Sequence, residues 1–184
     1  MTTLATAPGD TDLLERARSG DADAFVRAHV DDVYRAALRV LGDPDLAADA
    51  TQDAFVNAIG ALDRFRGESS VRTWLQRIAV NAARSIGRRR GRRREVALEA
   101  AAGTAAQGPR LDERTVMRSE LDRVERALAK LPEKQRLCVS LRIQQDLSYP
   151  EIGAIAGCSE ASARVNYHYG LQRLREVLGD DDAV

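Results

Sequence analysis

The stretch that decides the fold is residues 71–94, VRTWLQRIAVNAARSIGRRRGRRR. Its apolar side chains recur every three or four residues, which places them on one stripe of an α-helix. That stripe consists of Val71, Trp74, Leu75, Ile78, Ala79, Ala82 and Ile86. The opposite side carries polar residues at the same spacing, namely Arg77, Asn81, Arg84 and Arg88. The sequence therefore predicts a helix that buries one face and presents arginines on the other.

The composition of the whole chain also favours helices. Of the 184 residues, 44% are hydrophobic but only 4% are aromatic, and Ala, Arg and Leu dominate, which favours helices over sheets. We find neither an apolar run that predicts a membrane span nor the pattern of a secretory signal, so we expect a cytoplasmic protein. Cys138 and Cys158 are too few for a zinc cluster and are interpreted as free thiols. The sequence predicts no metal site and no cofactor.

Charge is segregated along the chain although its formal sum is zero. Residues 1–60 hold five Arg against eleven acidic residues, whereas residues 61–94 hold eleven Arg against two. One short stretch therefore carries the positive field, and such a local basic stripe is typical of a surface that binds nucleic acid. The alternative interpretation is a solvated arginine-rich face with no ligand.

Helix start and stop signals are legible in the first half of the chain. Asp21 is a candidate N-cap for a helix that runs to Gly42. Asp43-Pro44 then provides an N-cap and a first helical residue for a helix that extends to about Ile59. We expect helices on both sides of a turn before the decisive helix begins at Val71.

A change of character after Arg94 predicts a domain boundary. Residues 95–113, EVALEAAAGTAAQGPRLDE, are rich in Ala and Gly, contain a proline and show no sustained apolar face. A segment of this kind is interpreted as a flexible linker. We therefore expect two small helical domains, at residues 10–94 and 114–179, and the fold class is all-α.

The second domain ends in a predicted helix-turn-helix. Two helices precede it, over 116–130 and from 132 to about 144. Ser148 and Glu151 then form a capping box for a short helix to Ala156, and Ser159 can cap a last helix to about Leu178. Two helices joined by a short Gly-containing turn form the motif whose second helix enters the major groove. Helix-turn-helix pairs that bind no DNA are the alternative.

The helix that follows Pro44 carries an unusual row of acids. Asp45, Asp49 and Asp53 are four residues apart, so their carboxylates lie on one strip with Gln52 beside it. Like charges at that spacing cost a few tenths of a kcal/mol per pair. A basic protein partner would explain the strip, and a merely solvated face is the alternative.

Together these parts resemble the extracytoplasmic-function (ECF) sigma factors, the two-domain members of the sigma-70 family. The resemblance covers about residues 10–178. It rests on three motifs in a fixed order, followed by the helix-turn-helix: DLAADATQDAF at 45–55, FRGESSVRTWLQRIAVN at 65–81 and LPEKQR at 131–136. It implies a sigma-2-like domain, a linker and a sigma-4-like domain. The activity it implies is to direct core RNA polymerase to promoters and to help open the DNA.

The resemblance also implies partners for particular residues. The acidic helix would dock on the β′ clamp helices of the polymerase, and the second domain on the β flap. The docking residues would be Asp45, Asp49, Gln52, Asp53 and Phe55. The melted −10 element, with one base flipped out of the stack, would meet Phe65, Arg66, Arg77, Asn81, Arg84 and Arg88, since planar and amide side chains suit an extruded base. Trp74, on the apolar stripe, is interpreted as a core residue.

The −35 element would be read as duplex by the last helix. Its candidate contacts lie near the N-terminus of that helix: Ser159, Glu160, Ser162, Arg164 and His168. Arg164 is the candidate for a bidentate contact to guanine or a phosphate contact. The helix departs from the family in carrying Asn166, Tyr169 and Leu171 where Arg or Lys is usual. An anti-sigma factor is a further partner that the family admits.

An enzyme and a stand-alone DNA-binding regulator are the two alternative classes of function. An enzyme is disfavoured, because His29 and His168 fall in different predicted domains and neither has a nucleophile or carboxylate at a catalytic spacing. A stand-alone helix-turn-helix regulator that binds duplex operators is the serious alternative. The two differ in behaviour, since a sigma factor associates with core polymerase whereas a regulator binds closed duplex unaided.

Overall fold

The structure, a computed structural model, describes residues 8–100 and 120–181. Within these ranges every regular element is helical, which confirms the all-α prediction. A single turn of 3-10 helix, Leu62–Arg64, separates the third and fourth α-helices. The α-helices in chain order are α1 Pro8–Arg18, α2 Asp23–Leu41, α3 Pro44–Ile59, α4 Val71–Ala100, α5 Glu120–Ala129, α6 Glu133–Gln145, α7 Tyr149–Ala156 and α8 Glu160–Asp181. Within this part of the chain, none of the helices combines the length and the apolar character needed to cross a membrane.

The sequence predicts two N-caps in the first half of the chain, Asp21 and Asp43, and the structure confirms Asp43. The Asp43 carboxylate accepts hydrogen bonds from the backbone N–H groups of Asp45 and Leu46, at 3.1 and 3.2 Å, and Pro44 is the first helical residue. The prediction of Asp21 as an N-cap is wrong. Ala22 occupies that position without a side-chain hydrogen bond, because the Asp21 carboxylate pairs instead with Arg16 at 2.5 Å.

We call α1 to α4 the first helical set and α5 to α8 the second. Helix α4 lies at the centre of the first set. Its predicted apolar stripe packs against α2 and α3, with Val71, Leu75 and Ala79 almost fully buried. The helix continues to Ala100, six residues into the segment predicted as a linker. Residues 95–100 are strong helix formers apart from Val96 and contain no stop signal, so the helix has no reason to end at Arg94. The rest of the predicted linker, 101–113, lies outside the described residues, as do residues 116–119 of the next predicted helix.

Two glycines of the second helical set lie where neighbouring backbone and side chains leave no room for a Cβ atom. A Cβ added at Gly170 of α8 would lie 2.6 Å from Val139 Cγ2 of α6, and one added at Gly153 of α7 would lie 2.7 Å from the Cys158 carbonyl oxygen. The turn between α7 and α8 passes through Gly157 at a φ of 68°, a conformation that glycine adopts without strain. Because glycine stands at both positions, α8 packs closely on α6, and α7 packs closely on the turn that precedes α8. Helices α7 and α8 form the predicted helix-turn-helix, and α6 packs against it.

The two helical sets also pack against each other, which the sequence did not predict. Helix α4 contacts α7, and α2 contacts α6. The buried amide of Gln76 donates to the Gln145 side-chain oxygen at 2.7 Å. Arg136 of α6 donates to the carbonyl oxygens of Arg39 and Val40 at the end of α2, at 2.6 and 3.1 Å. A guanidinium at that place satisfies carbonyls that the helix itself leaves unpaired.

Candidate protein-binding and nucleic-acid interfaces

The acidic strip, which we define as Asp45, Asp49, Gln52 and Asp53, lies on the outer face of α3. All four side chains are exposed. Asp53 pairs with Arg89 of α4 at 3.4 Å, whereas within residues 8–100 and 120–181 the carboxylates of Asp45 and Asp49 make no ion pair. Helix α3 therefore presents negative charge that the fold itself leaves largely unused, as a docking surface for a basic protein requires.

Phe55 differs from the expectation that it docks on a partner. Its side chain is only 7% exposed and belongs to the core between α3 and α4. The reason is helical phase, because Phe55 follows Thr51 by one turn on the inward side, along with Ala47, Ala54 and Ala58. Phe55 therefore lies on the buried side of α3 and not on the exposed side that carries the acidic strip.

An aromatic groove of about 630 Å³ opens beside the start of α4. We define it by Phe65, Arg66, Trp74 and Arg77. The rest of its lining consists of Asp63, Arg64, Glu68, Ser69, Thr73 and Ala154 of α7. The rings of Phe65 and Trp74 lie 4.9 Å apart at 43°. Trp74 is 7% exposed, so its prediction as a core residue is confirmed, while Phe65 is half-buried. A planar ring flanked by two guanidinium groups can hold a base by stacking and by phosphate contact.

Asn81 and Arg88 stand apart from the aromatic groove. Both are exposed on α4, and Asn81 follows Arg77 by one helical turn but does not line the groove. The structure therefore does not bring Phe65 and Asn81 into one pocket. Base stacking and amide recognition would fall on two separate sites.

Arg84 is not on the free face of α4 where the sequence placed it. Its Nε donates to the Glu133 carboxylate of α6 at 2.8 Å, and its side chain is 20% exposed. The pair lies on the wall of a cleft of about 1290 Å³ between the two helical sets. The second helical set covers this part of α4, so in this arrangement Arg84 is engaged by the protein, and its contact with −10 DNA stays a prediction.

The recognition helix α8 begins as predicted. Ser159 Oγ accepts a hydrogen bond from the Ser162 backbone N–H at 3.2 Å, so Ser159 acts as the N-cap. Glu160, Arg164 and His168 are exposed. Ser162 is half-buried, and its carbonyl oxygen accepts from the Asn166 amide at 2.8 Å. The five candidate residues thus lie at the N-cap and in the N-terminal half of α8, where Glu160, Arg164 and His168 are exposed as a helix that enters a DNA groove requires.

Sequence reasoning missed two residues next to Arg164. The guanidinium carbon of Arg164 lies 4.8 Å from the ring centre of Tyr149 on α7, and that of Arg142 on α6 lies 5.4 Å from it. Arg164 also pairs with Glu160 at 2.9 Å. Periodicity carries no signal for a contact between three helices. The one sequence signal for this contact is an aromatic residue, Tyr149, at the start of the helix-turn-helix.

Buried titratable groups lie away from these surfaces. Burial raises the pKa of the Cys138 thiol to about 11, helped by the nearby Cys158, so Cys138 stays protonated near neutral pH. Both cysteines are free thiols, as predicted. Burial, reinforced by Arg35, lowers the pKa of Arg39 to about 10, which still leaves it a cation beside the second helical set. These groups serve the core and the contact between the sets.

Comparisons with known proteins agree with the geometry. The family model of sigma-70 region 2 matches residues 25–94, and that of sigma-70 region 4 matches residues 121–174. The ECF RNA polymerase sigma factor SigW of Bacillus subtilis is 33% identical over 181 residues, and the match covers 91% of this chain and 95% of that protein.

A second relative and a solved structure extend the comparison. The ECF RNA polymerase sigma-E factor of Escherichia coli K12 is 36% identical over 166 residues, covering 84% of this chain and 86% of that protein. The sigma factor RpoE of Bartonella quintana, solved in complex with the anti-sigma factor NepR, superposes with a TM-score of 0.69. It is 24% identical, and the match covers 86% of this chain and 97% of that one, so it shows a shared fold.

Proposed function

Because the chain belongs to the ECF sigma factors of the sigma-70 family, we propose that separate surfaces of the chain bind core RNA polymerase, the −10 element and the −35 element. A protein of this family binds core RNA polymerase and directs it to promoter DNA. The proposal concerns which residues meet the polymerase, which meet the −10 element and which meet the −35 element. It keeps residues 10–94 and 114–179 as the two functional domains.

The acidic strip is the polymerase-docking surface in this proposal. The observation that carries it is the exposure of Asp45, Asp49 and Gln52 on a helix whose other side is fully used by the core. The strip does not bind DNA itself, because negative charge repels phosphate, and a regulator that binds duplex DNA unaided does not require a second, protein-binding surface. Docking on a basic helical partner explains the strip and disfavours the stand-alone regulator.

The aromatic groove and the exposed side of α4 take the −10 element. Phe65 offers a ring for stacking, Arg66, Arg77 and Arg88 offer charge to phosphates, and Asn81 offers an amide that can read a base edge. Arg84 drops out of this set because Glu133 engages it. The resulting surface suits an unpaired strand, whose bases are free to leave the stack.

The helix-turn-helix of α7 and α8 takes the −35 element as duplex. Glu160, Arg164 and His168 face outward from the N-terminal half of α8, and Ser159 and Ser162 flank them at its start. Arg164 carries the only guanidinium among these five candidates, so it is assigned the guanine or phosphate contact.

Three further assignments complete the proposal. The chain catalyses no reaction of its own, since its role is to position the polymerase. It works in the cytoplasm, where the polymerase is. An anti-sigma factor is a partner class, supported by the similar fold of the Bartonella quintana sigma factor that binds NepR.

Run-off transcription with core polymerase on a library of promoters tests the proposed function. We expect transcripts only when the chain, the core enzyme and a subset of promoters are combined, and the shared sequences of that subset to fall into two separated elements. Binding of the chain to closed duplex with the same preference in the absence of core polymerase would instead establish the stand-alone regulator.

A further inference from the structure

Arg164 is held by two different helices. One of its terminal nitrogens donates to Glu160 at 2.9 Å within α8, and its guanidinium carbon lies 4.8 Å from the ring centre of Tyr149 on α7. About half of both charged side chains is exposed, 55% for Arg164 and 51% for Glu160. A pair of exposed charges four residues apart on a helix is weak and is screened by salt. The Tyr149 ring is therefore the second element that restricts the arginine.

The Tyr149 ring is itself well anchored. It is half-buried against the main core, and its edge contact with the Tyr167 ring has a centroid distance of 5.9 Å and an interplanar angle of 65°. The start of α7 is fixed by the capping box, in which the Ser148 backbone N–H donates to the Glu151 carboxylate at 2.8 Å. The Arg142 guanidinium, which also lies over this ring, donates to the Leu147 carbonyl oxygen at 2.8 Å. The ring is thus a rigid platform between α6 and α8.

Holding a guanidinium over a ring differs from holding it with a carboxylate. The ring attracts the cation through its π face and uses none of the N–H donors, whereas Glu160 occupies one of them. Arg164 can therefore rest on Tyr149 and still offer paired donors to a guanine edge or a phosphate. A long flexible side chain that is already oriented loses less conformational freedom when it binds.

We propose that Tyr149 is a positioning residue for −35 recognition: its ring holds the Arg164 guanidinium in the orientation that meets the duplex. This inference rests on the proposed function, because it assumes that α8 reads the −35 element. It gives Tyr149 no direct contact with DNA. It also explains how a recognition helix with uncharged Asn166 and Tyr169 effectively uses Arg164, the one arginine in its N-terminal half.

The test compares Tyr149→Leu with Tyr149→Phe, which keeps the ring. For each variant, holoenzyme with core polymerase transcribes a promoter with the native −35 element and one with that element scrambled. We expect Tyr149→Leu to lower the native-to-scrambled ratio about three- to fivefold, the size of one cation–π contact at an exposed site. Tyr149→Phe should keep the parental ratio.

The same pair of variants in an Arg164→Ala background separates positioning from other roles. If Tyr149 acts through Arg164, Leu and Phe at position 149 give the same ratio there. A further fall with Tyr149→Leu in that background overturns the inference, since Tyr149 then acts on the fold or on DNA directly. If Tyr149→Leu keeps the parental ratio when Arg164 is unchanged, the inference is also overturned, and the proposed function is left intact. If the parent itself directs no promoter-dependent transcription, the proposed function fails and the inference fails with it.

A spectroscopic measurement covers the case in which Tyr149→Leu does not fold. A guanidinium over an aromatic ring has its side-chain proton resonances shifted upfield by the ring current. Because Arg142 also lies over this ring, the Hε resonance of Arg164 is identified as the one that disappears in Arg164→Lys. We expect that resonance to be shifted upfield in the parent and to stay shifted in Tyr149→Phe. An Arg164 resonance at the usual position of a solvated arginine overturns the inference.

Discussion

The Arg84 guanidinium donates to the Glu133 carboxylate at 2.8 Å and so joins α4 of the first domain to α6 of the second. The two residues are 49 positions apart in the chain. Arg84 belongs to the most basic stretch of the sequence, yet its side chain contacts another part of the protein. The contact makes the availability of one positive charge depend on how the two domains are arranged.

Removing the Glu133 charge should free Arg84 for phosphate. We expect Glu133→Gln to steepen the salt dependence of non-specific DNA binding by about one counterion, the effect of one added phosphate contact. Fluorescence anisotropy over a series of salt concentrations measures the slope. Glu125→Gln is the matched control, since it removes the same charge at an exposed position of α5. Equal slopes for the Glu133 variant and this control would contradict the prediction.

Reversing charge on the acidic strip should disrupt polymerase docking. We expect Asp49→Lys to weaken association with core polymerase at least about tenfold, or about 1.4 kcal/mol, because a lysine then faces a basic partner. Helix content by circular dichroism should not change, since the substitution relieves like-charge repulsion within α3. Asp31→Lys, at an exposed position of α2, is the control. Co-purification of Asp49→Lys with core at the parental level would remove the strip from the interface.

Asn81 and Arg88 should differ in the kind of loss they cause. Arg88→Ala should weaken binding to all sequences alike and reduce the salt slope by about one, as loss of a phosphate contact does. Asn81→Ala should instead relax the preference at one −10 position by about 1–3 kcal/mol, because an amide reads a base edge. Competition binding with single-stranded −10 oligonucleotides of varied sequence measures both effects. A uniform loss for both variants would exclude base readout by Asn81.

Gly170 should be required by the packing of α8 on α6. An added Cβ would approach Val139 Cγ2 to 2.6 Å and the Gln135 carbonyl oxygen to 3.2 Å. We expect Gly170→Ala to lower the free energy of unfolding by about 1–3 kcal/mol through overpacking, which exceeds the gain in helix propensity. Urea denaturation measures the change. Gly179→Ala on the same helix has open space around it and should be neutral or stabilising.

His29 should make the fold sensitive to mild acid. Burial lowers the pKa of its imidazole below the usual 6.5, although Asp10 and Asp32 act in the opposite direction. The folded state therefore resists the proton that the unfolded chain accepts, so the free energy of unfolding should fall as the pH drops from 7 through 6.5 and below. Urea denaturation at pH 7.5 and 5.5 checks this. His29→Gln should reduce the difference between the two pH values, whereas His168→Gln, at an exposed position, should preserve it.

The local pattern of the sequence determined the helices and the motif that ends the chain. The apolar spacing from Val71 to Ile86 placed α4 and its buried side, and Asp43-Pro44 placed the start of α3. Ser148 with Glu151, and then Ser159, marked the two helices of the helix-turn-helix. These features depend on residues within one or two turns of each other, so side-chain spacing and capping chemistry suffice to predict them.

Only the tertiary structure decided which exposed positions remain available. Glu133 engages Arg84, the core takes up Phe55, and Tyr149 receives Arg164. The first and last of these contacts join different helices. Helical phase turns Phe55 inward, and the packing of α3 against its neighbours then buries it. A periodic pattern states which residues share a side of one helix, but it is silent on which neighbouring helix covers that side. That choice depends on packing between whole elements, because each helix buries its apolar stripe wherever its neighbours fit most closely.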